Sequence, residues 1–111
     1  MVDGLIASGD AALARADWAT AKADFEAALA IEDCAPAWEG LSWATWWLDD
    51  AVAMFAARER AFRAYRAADD RCGAVRMGVW LASDSLDFRG DVLRRERRLE
   101  VGLRRRPVCP R

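Results

Sequence analysis

Proline stands only at positions 36, 107 and 110 of the 111 residues, and this placement constrains the fold more than any other feature of the chain. Proline breaks helix interiors, and here nothing of that kind interrupts the stretch between Pro36 and Pro107. Short polar junctions punctuate the chain at Ala16-Asp17, Glu32 to Pro36, Asp49-Asp50, Asp69 to Gly73 and Arg89 to Asp91. Between them the apolar residues recur with a 3.6-residue period over about 3–15, 18–31, 36–48, 51–68, 73–88 and 92–103. No segment alternates apolar and polar residues with the β-branched enrichment of a strand, and alanine, the best helix former, supplies 24 positions. The chain is therefore expected to be all-α, with six helices forming three antiparallel hairpins.

The junctions repeat. Asp17, Asp50 and Asp91 each open a second helix, 33 and 41 residues apart, so helix, tight acidic turn and helix follow one another three times. In the first unit Leu5 and Gly9 precede Asp17-Trp18, and Ala21, Phe25 and Ala28 follow it. In the second, Pro36 suits a first helical turn, Trp38 and Leu41 take the large positions, and Ala61, Tyr65 and Ala68 restore the small, aromatic, small spacing after a two-turn insertion. In the third, Gly73 to Arg89 precedes the turn, and Leu99, Gly102 and Pro107 follow, with Arg95 where a small residue belongs. This pattern resembles the tetratricopeptide repeat, in units of about 2–34, 35–70 and 72–107, the last degraded. The resemblance implies a short α-solenoid over residues 1–103, followed by a basic tail, 104–111.

Three stretches, Arg58-Glu59-Arg60-Ala61-Phe62-Arg63-Ala64-Tyr65-Arg66, Trp80-Leu81-Ala82-Ser83-Asp84 and Arg89-Gly90-Asp91, are similar to the helical-repeat region of actinobacterial LuxR-type transcriptional regulators. In that family the repeats precede a DNA-binding helix-turn-helix. The resemblance implies a sensing or partner-binding segment from which the output domain is missing.

Composition narrows the chemistry. The chain has no His, Asn or Gln and a single Lys, Lys22, which removes hydrolase triads, imidazole metal sites and amide readers of bases. Cys34, Cys72 and Cys109 match no paired zinc spacing and are read as reduced thiols. No enzyme activity and no cofactor or metal are expected. The longest uncharged run, Gly40 to Leu48, is too short for a membrane span, and no basic residue opens a secretion signal, so a cytoplasmic protein is expected. Charge is uneven: residues 1–88 hold 8 basic and 15 acidic groups, and residues 89–111 hold 9 arginines and 3 acids.

The helix at 36–48 carries four tryptophans. Trp38, Leu41, Thr45 and Leu48 share one stripe, expected to face neighbouring helices, and Trp43, Trp46 and Trp47 form another. By the tetratricopeptide resemblance the second stripe lines a concave groove. Glu39 joins it, with Met77, Trp80, Asp84, Asp87 and Phe88 from the next repeat, and Asp3, Ile6, Asp10 and Leu13 from the first. Such a groove is aromatic with an acidic edge and suits a peptide or protein segment carrying Arg or Lys beside apolar anchors. The alternative is that the long second helix or neighbouring repeats cover the rings. The face Arg58, Glu59, Arg60, Arg63, Arg66, Asp69 and Asp70 reads as solvated, and the aspartate doublets as helix caps.

Two functional classes follow: a helical-repeat interaction or sensing module, and a small nucleic-acid binder acting through Arg94, Arg95, Arg97, Arg98 and Arg104 to Arg106. The first is preferred because the repeat pattern spans most of the chain, and no Asn, Gln or Lys lies near the basic end to read bases. An enzyme built on Asp84 and Asp87 is a minor third, and self-association through the exposed end is a further expectation.

Overall fold

The computed structural model describes residues 1–89, with side chains to Leu86. Five α-helices follow one another: α1 (Val2–Ala14), α2 (Trp18–Ile31), α3 (Ala35–Trp47), α4 (Ala51–Ala67) and α5 (Arg71–Arg89). No strand occurs among the described residues, so the all-α expectation holds there. The bounds fall within two residues of the periodicity for all five helices. The sixth segment, 92–103, the third unit's turn at Asp91 and the basic tail lie outside the described residues.

One turn is used three times. After α1, the N–H of Ala16 donates to the Leu13 carbonyl and that of Asp17 to the Ala12 carbonyl, at 3.1 and 2.8 Å. This is the Schellman closure, which needs a left-handed residue at its centre, and Ala16 supplies it with φ of 61°. Asp49 and Asp69 take the same conformation, with φ of 61° and 58°, and Asp50 and Asp70 bond back to Thr45 and Tyr65. The residue after each left-handed position then caps the next helix. The carboxylates of Asp17, Asp50 and Asp70 accept from the N–H groups of Thr20, Ala53 and Gly73. The junction between α2 and α3 differs: Glu32 and Cys34 are extended, and Pro36 sits in the first turn of α3. Capping by the second aspartate of each doublet thus agrees with expectation, while the first of each is the helix stop.

Each helix packs on the next, and α1 also reaches α3. The first core cluster joins Ala12, Ala21, Phe25, Ala28, Ala37, Leu41, Ala44 and Ala57. Phe25 is fully buried between Gly9 and Gly40, where a Cβ on Gly9 would come within 2.7 Å of the ring and one on Gly40 closer still. The second cluster joins Ala35, Ala61, Tyr65, Ala74 and Met77, with Tyr65 seated on Gly73. Trp38 packs against both.

Helix α4 corrects one expectation. At a spacing of 33, Met54, Arg58 and Ala61 correspond to Ala21, Phe25 and Ala28, and all six are buried. The register of α2 therefore runs on unbroken into α4, with Arg58 in the place of the aromatic. Tyr65 adds a second buried ring one repeat of the stripe later, and Ala68 is exposed. Leu48, expected on the buried stripe with Leu41 and Thr45, is exposed because the helix ends there.

Candidate functional site

Tryptophans from three helices form one connected surface. Trp18, at the start of α2, stacks on Trp47, at the end of α3, with centroids 4.8 Å apart and planes 5° from parallel. Trp47 meets Trp46 edge to face, Trp46 meets Trp43, and Trp43 meets Trp80 of α5. The Schellman turns set this up: each ends one helix and starts the next within three residues, so the rings flanking two successive turns meet. Trp46 and Trp47 remain 36% and 52% exposed, so within the described residues the outer rings are displayed, and Trp43 and Trp80 are half-buried. Beside them Leu13, Trp18, Trp43 and Trp47 wall a groove of about 490 Å³, with Glu39 and Arg76 also lining it. This volume is in the range of small-molecule and peptide-anchor sites.

Beneath the groove lies a satisfied polar network. Arg76 donates from Nε to Glu39 Oε2 at 2.7 Å and from Nη2 to Glu39 Oε1 at 3.0 Å, a two-pronged pairing of α5 with α3. Tyr65 of α4 donates its hydroxyl to the same Oε1 at 2.5 Å. Glu39 is 2% exposed and Arg76 8%, so neither presents a free charge. Hydrogen bonds from Arg76 to Glu39 hold the guanidinium charged well above the ordinary arginine range. Burial, reinforced by the bond to Glu39, pushes the Tyr65 hydroxyl up in turn.

A second buried cation supports the same rings from below. Arg58 is fully buried, its guanidinium 4.8 Å from the centre of Trp43 and 5.6 Å from that of Trp80. Nη1 is in an ion pair with Asp84 and donates to the Trp80 carbonyl at 3.4 Å. Nε and Nη2 have no hydrogen-bond partner among the described residues. Burial pushes the Arg58 pKa down to about 10.

The expected site residues divide accordingly. Trp43, Trp46, Trp47 and Trp80 are brought together, and Glu39 lies beside them as part of the buried network. Met77 does not face the groove: it is fully buried against Ala61 and Tyr65, one position round α5 from Arg76. Asp84 is no free acidic edge, because it is 3% exposed and matched by Arg58. Arg58 likewise leaves the solvated face to which it was assigned, whereas Glu59, Arg60, Arg63 and Arg66 are exposed. Asp87 and Phe88 fall in the last turn of α5, and their side chains are outside the described residues. Of the first-unit positions, Leu13 lines the groove. Asp10 is one turn before it, with Ile6 half-buried and Asp3 exposed further along α1.

Sequence reasoning missed Trp18, Arg76 and Arg58. The signal for Arg58 was its spacing of 33 from Phe25, and for Arg76 its position as a lone cation one turn before Trp80. Among the described residues no three His, Cys, Asp or Glu side chains cluster as metal ligands, and no helix is long and apolar enough to cross a membrane. No family model matches the sequence, and no curated protein or solved structure is significantly similar to it.

Proposed function

We propose that this chain is a tetratricopeptide-like interaction module that holds a peptide segment of a partner protein in the groove walled by Leu13, Trp18, Trp43 and Trp47. The observation that carries the reading is the connected tryptophan surface, whose outer rings stay exposed although the rings behind them are braced by Arg58 and the Glu39 network. Large rigid aromatics lose little entropy when a partner covers them, and they dominate binding energy where they cluster. The repeat character is supported by the turn shared at Ala16-Asp17 and Asp49-Asp50 and by the register carried from α2 into α4. Within this reading the stacked hairpins act as a rigid scaffold, and stability comes from each hairpin resting on its neighbour. The resemblance of Arg58 to Arg66 and of Trp80 to Asp84 to LuxR-type regulators makes the module the sensing part of such a regulator, acting in the cytoplasm.

The test is selection of a random peptide library on the full chain. Enriched peptides are expected to lose at least tenfold in affinity, of order 1.4 kcal/mol, for Trp47→Ala, with helicity and Tm kept. Binders that ignore both Trp47→Ala and Trp43→Ala would refute the groove as the site.

A further inference from the structure

We infer that the chain has a second site, apart from the tryptophan groove, between the entry to α3 and the C-terminal half of α4. It takes a small amphiphilic oxyanion: a carboxylate or phosphate monoester carried on an apolar body.

The site is a cavity of about 810 Å³, within the size range of small-molecule sites and larger than the groove. Cys34, Pro36 and Trp38 wall it on one side, and Ala64, Ala67 and Ala68 on the other, so most of its surface is apolar. Trp47 lies at the far end of α3, about 18 Å along the helix axis from Ala35, and the cavity and the groove share no lining residue.

Two guanidiniums border these apolar walls, those of Arg60 and Arg63, one helical turn apart on the same face of α4. Both residues are exposed, and neither is in an ion pair among the described residues. Glu59, four positions before Arg63, does not close one. Arg60 lies over the Trp38 ring at 5.1 Å, which holds it at the cavity. The ring attracts its charge but supplies no oxygen acceptor for its N–H groups. The two carboxylates of the wall are already engaged. Asp33 accepts the Trp38 indole N–H at 2.6 Å, and Asp70 accepts the Gly73 N–H at 3.0 Å. They offset the charge of the wall without giving either arginine an acceptor.

Like charges one turn apart repel, and an oxyanion placed between them relieves the repulsion and accepts from both. The alanines and Pro36 then keep its apolar body out of water. An inorganic anion would leave that surface bare, and an uncharged apolar molecule would leave the arginines unpaired.

Cys34 borders the cavity and is half-buried, so its alkylation by iodoacetamide reports on this cavity rather than on the groove. The experiment uses the full chain carrying Cys72→Ser and Cys109→Ser, with octanoate and octyl phosphate as probes below their micellar concentrations. At least one of them should slow the alkylation roughly tenfold when present at about ten times its Kd, by mass action. The better protector assigns the headgroup as carboxylate or phosphate. Octanol and inorganic phosphate should each need a concentration at least roughly tenfold higher for the same protection. Arg60→Ala/Arg63→Ala places the best helix former at two exposed positions, so it should keep helicity and Tm and lose the protection. Arg60→Gln/Arg63→Gln, which keeps the length of the side chains closer to the parent, should lose it as well. No protection by either probe, equal protection by octanol or by inorganic phosphate, or protection that survives both arginine pairs would each overturn the inference. Trp47→Ala should leave the protection unchanged. Protection that disappeared with Trp47→Ala would put the anion in the tryptophan groove and remove this second site, whatever peptides the groove itself binds.

Discussion

Glu39 shows how a single buried charge ties the elements together. Its carboxylate receives two hydrogen bonds from Arg76 of α5 and one from Tyr65 of α4 while the residue itself belongs to α3. Removing it by Glu39→Ala strands Arg76 in a site only 8% exposed, and breaking such a pair costs roughly 3–5 kcal/mol. Urea denaturation should show that loss. Tyr65→Phe removes one bond and leaves the ion pair, so it should cost about 1–2 kcal/mol at neutral pH. The same substitution carries a pH signature. Burial and the bond to Glu39 raise the Tyr65 pKa in the folded state above its ordinary value near 10. The stabilisation is then complete below pH 10 and declines as pH rises beyond it, because the unfolded chain releases the phenolic proton first. The stability difference between parent and Tyr65→Phe should accordingly shrink above pH 10, and a difference that stayed constant to pH 11.5 would contradict this account. Arg58 poses the complementary case. Arg58→Met alone leaves Asp84 buried and unmatched and should destabilise by about 3–5 kcal/mol, whereas Arg58→Met with Asp84→Leu should fall within about 1 kcal/mol of the parent or above it.

At the scale of elements, the turns decide where helices stop. Ala16, Asp49 and Asp69 all sit at positive φ, but alanine has no side-chain polar atom to favour that region, whereas aspartate tolerates it. Ala16→Gly should therefore stabilise the chain by about 1 kcal/mol, and Asp49→Gly by less, in thermal unfolding of the full chain. Glycine plays the opposite part inside helices, where Gly40→Ala would drive a Cβ into the Phe25 ring. The five helices were legible in the sequence because their signals are local: periodicity, Asp caps and a proline in the first turn of α3. The buried side of α4 was less so. An arginine followed by Glu59 and Arg60 reads as surface, and only the distance of 33 residues from Phe25 marks Arg58 as interior. For Met77, periodicity could place it near Trp80 but not choose between facing inward and lining the groove. That choice is made by the packing of α5 against Ala61 and Tyr65 of α4. Trp18 escaped notice because its partner, Trp47, is 29 residues away and meets it only once α2 and α3 are packed.

Across the described residues, the helices form a line of neighbours: α1, α2 and α3 share one core cluster, to which α4 adds Ala57, and α3, α4 and α5 share the other. Trp38 packs into each cluster, and its indole N–H donates to Asp33 at 2.6 Å, so the ring is held in a fixed pose at the seam. When structural units contact only their neighbours, cooperativity rests on the interfaces between them. Trp38→Ala removes the largest side chain that both clusters share. Because Trp38 is only half-buried, it should cost about 2–3 kcal/mol overall, below the range of a fully buried aromatic truncation. Loss of the seam should also separate the two halves. Hydrogen exchange on Trp38→Ala is expected to show amides of α4 and α5 opening at lower free energy than those of α1 and α2. In the parent the slowest amides of both halves should exchange together. The first half keeps Phe25 clamped between Gly9 and Gly40, whereas the second has only the smaller cluster of Ala35, Ala61, Tyr65, Ala74 and Met77 for Trp38 to pack on. Uniform loss of protection across all five helices would mean that the chain unfolds as one block and that the seam carries no special weight. Unequal loss would mark α3 as the element through which a partner seated on the tryptophan surface can bias the stability of α4 and α5.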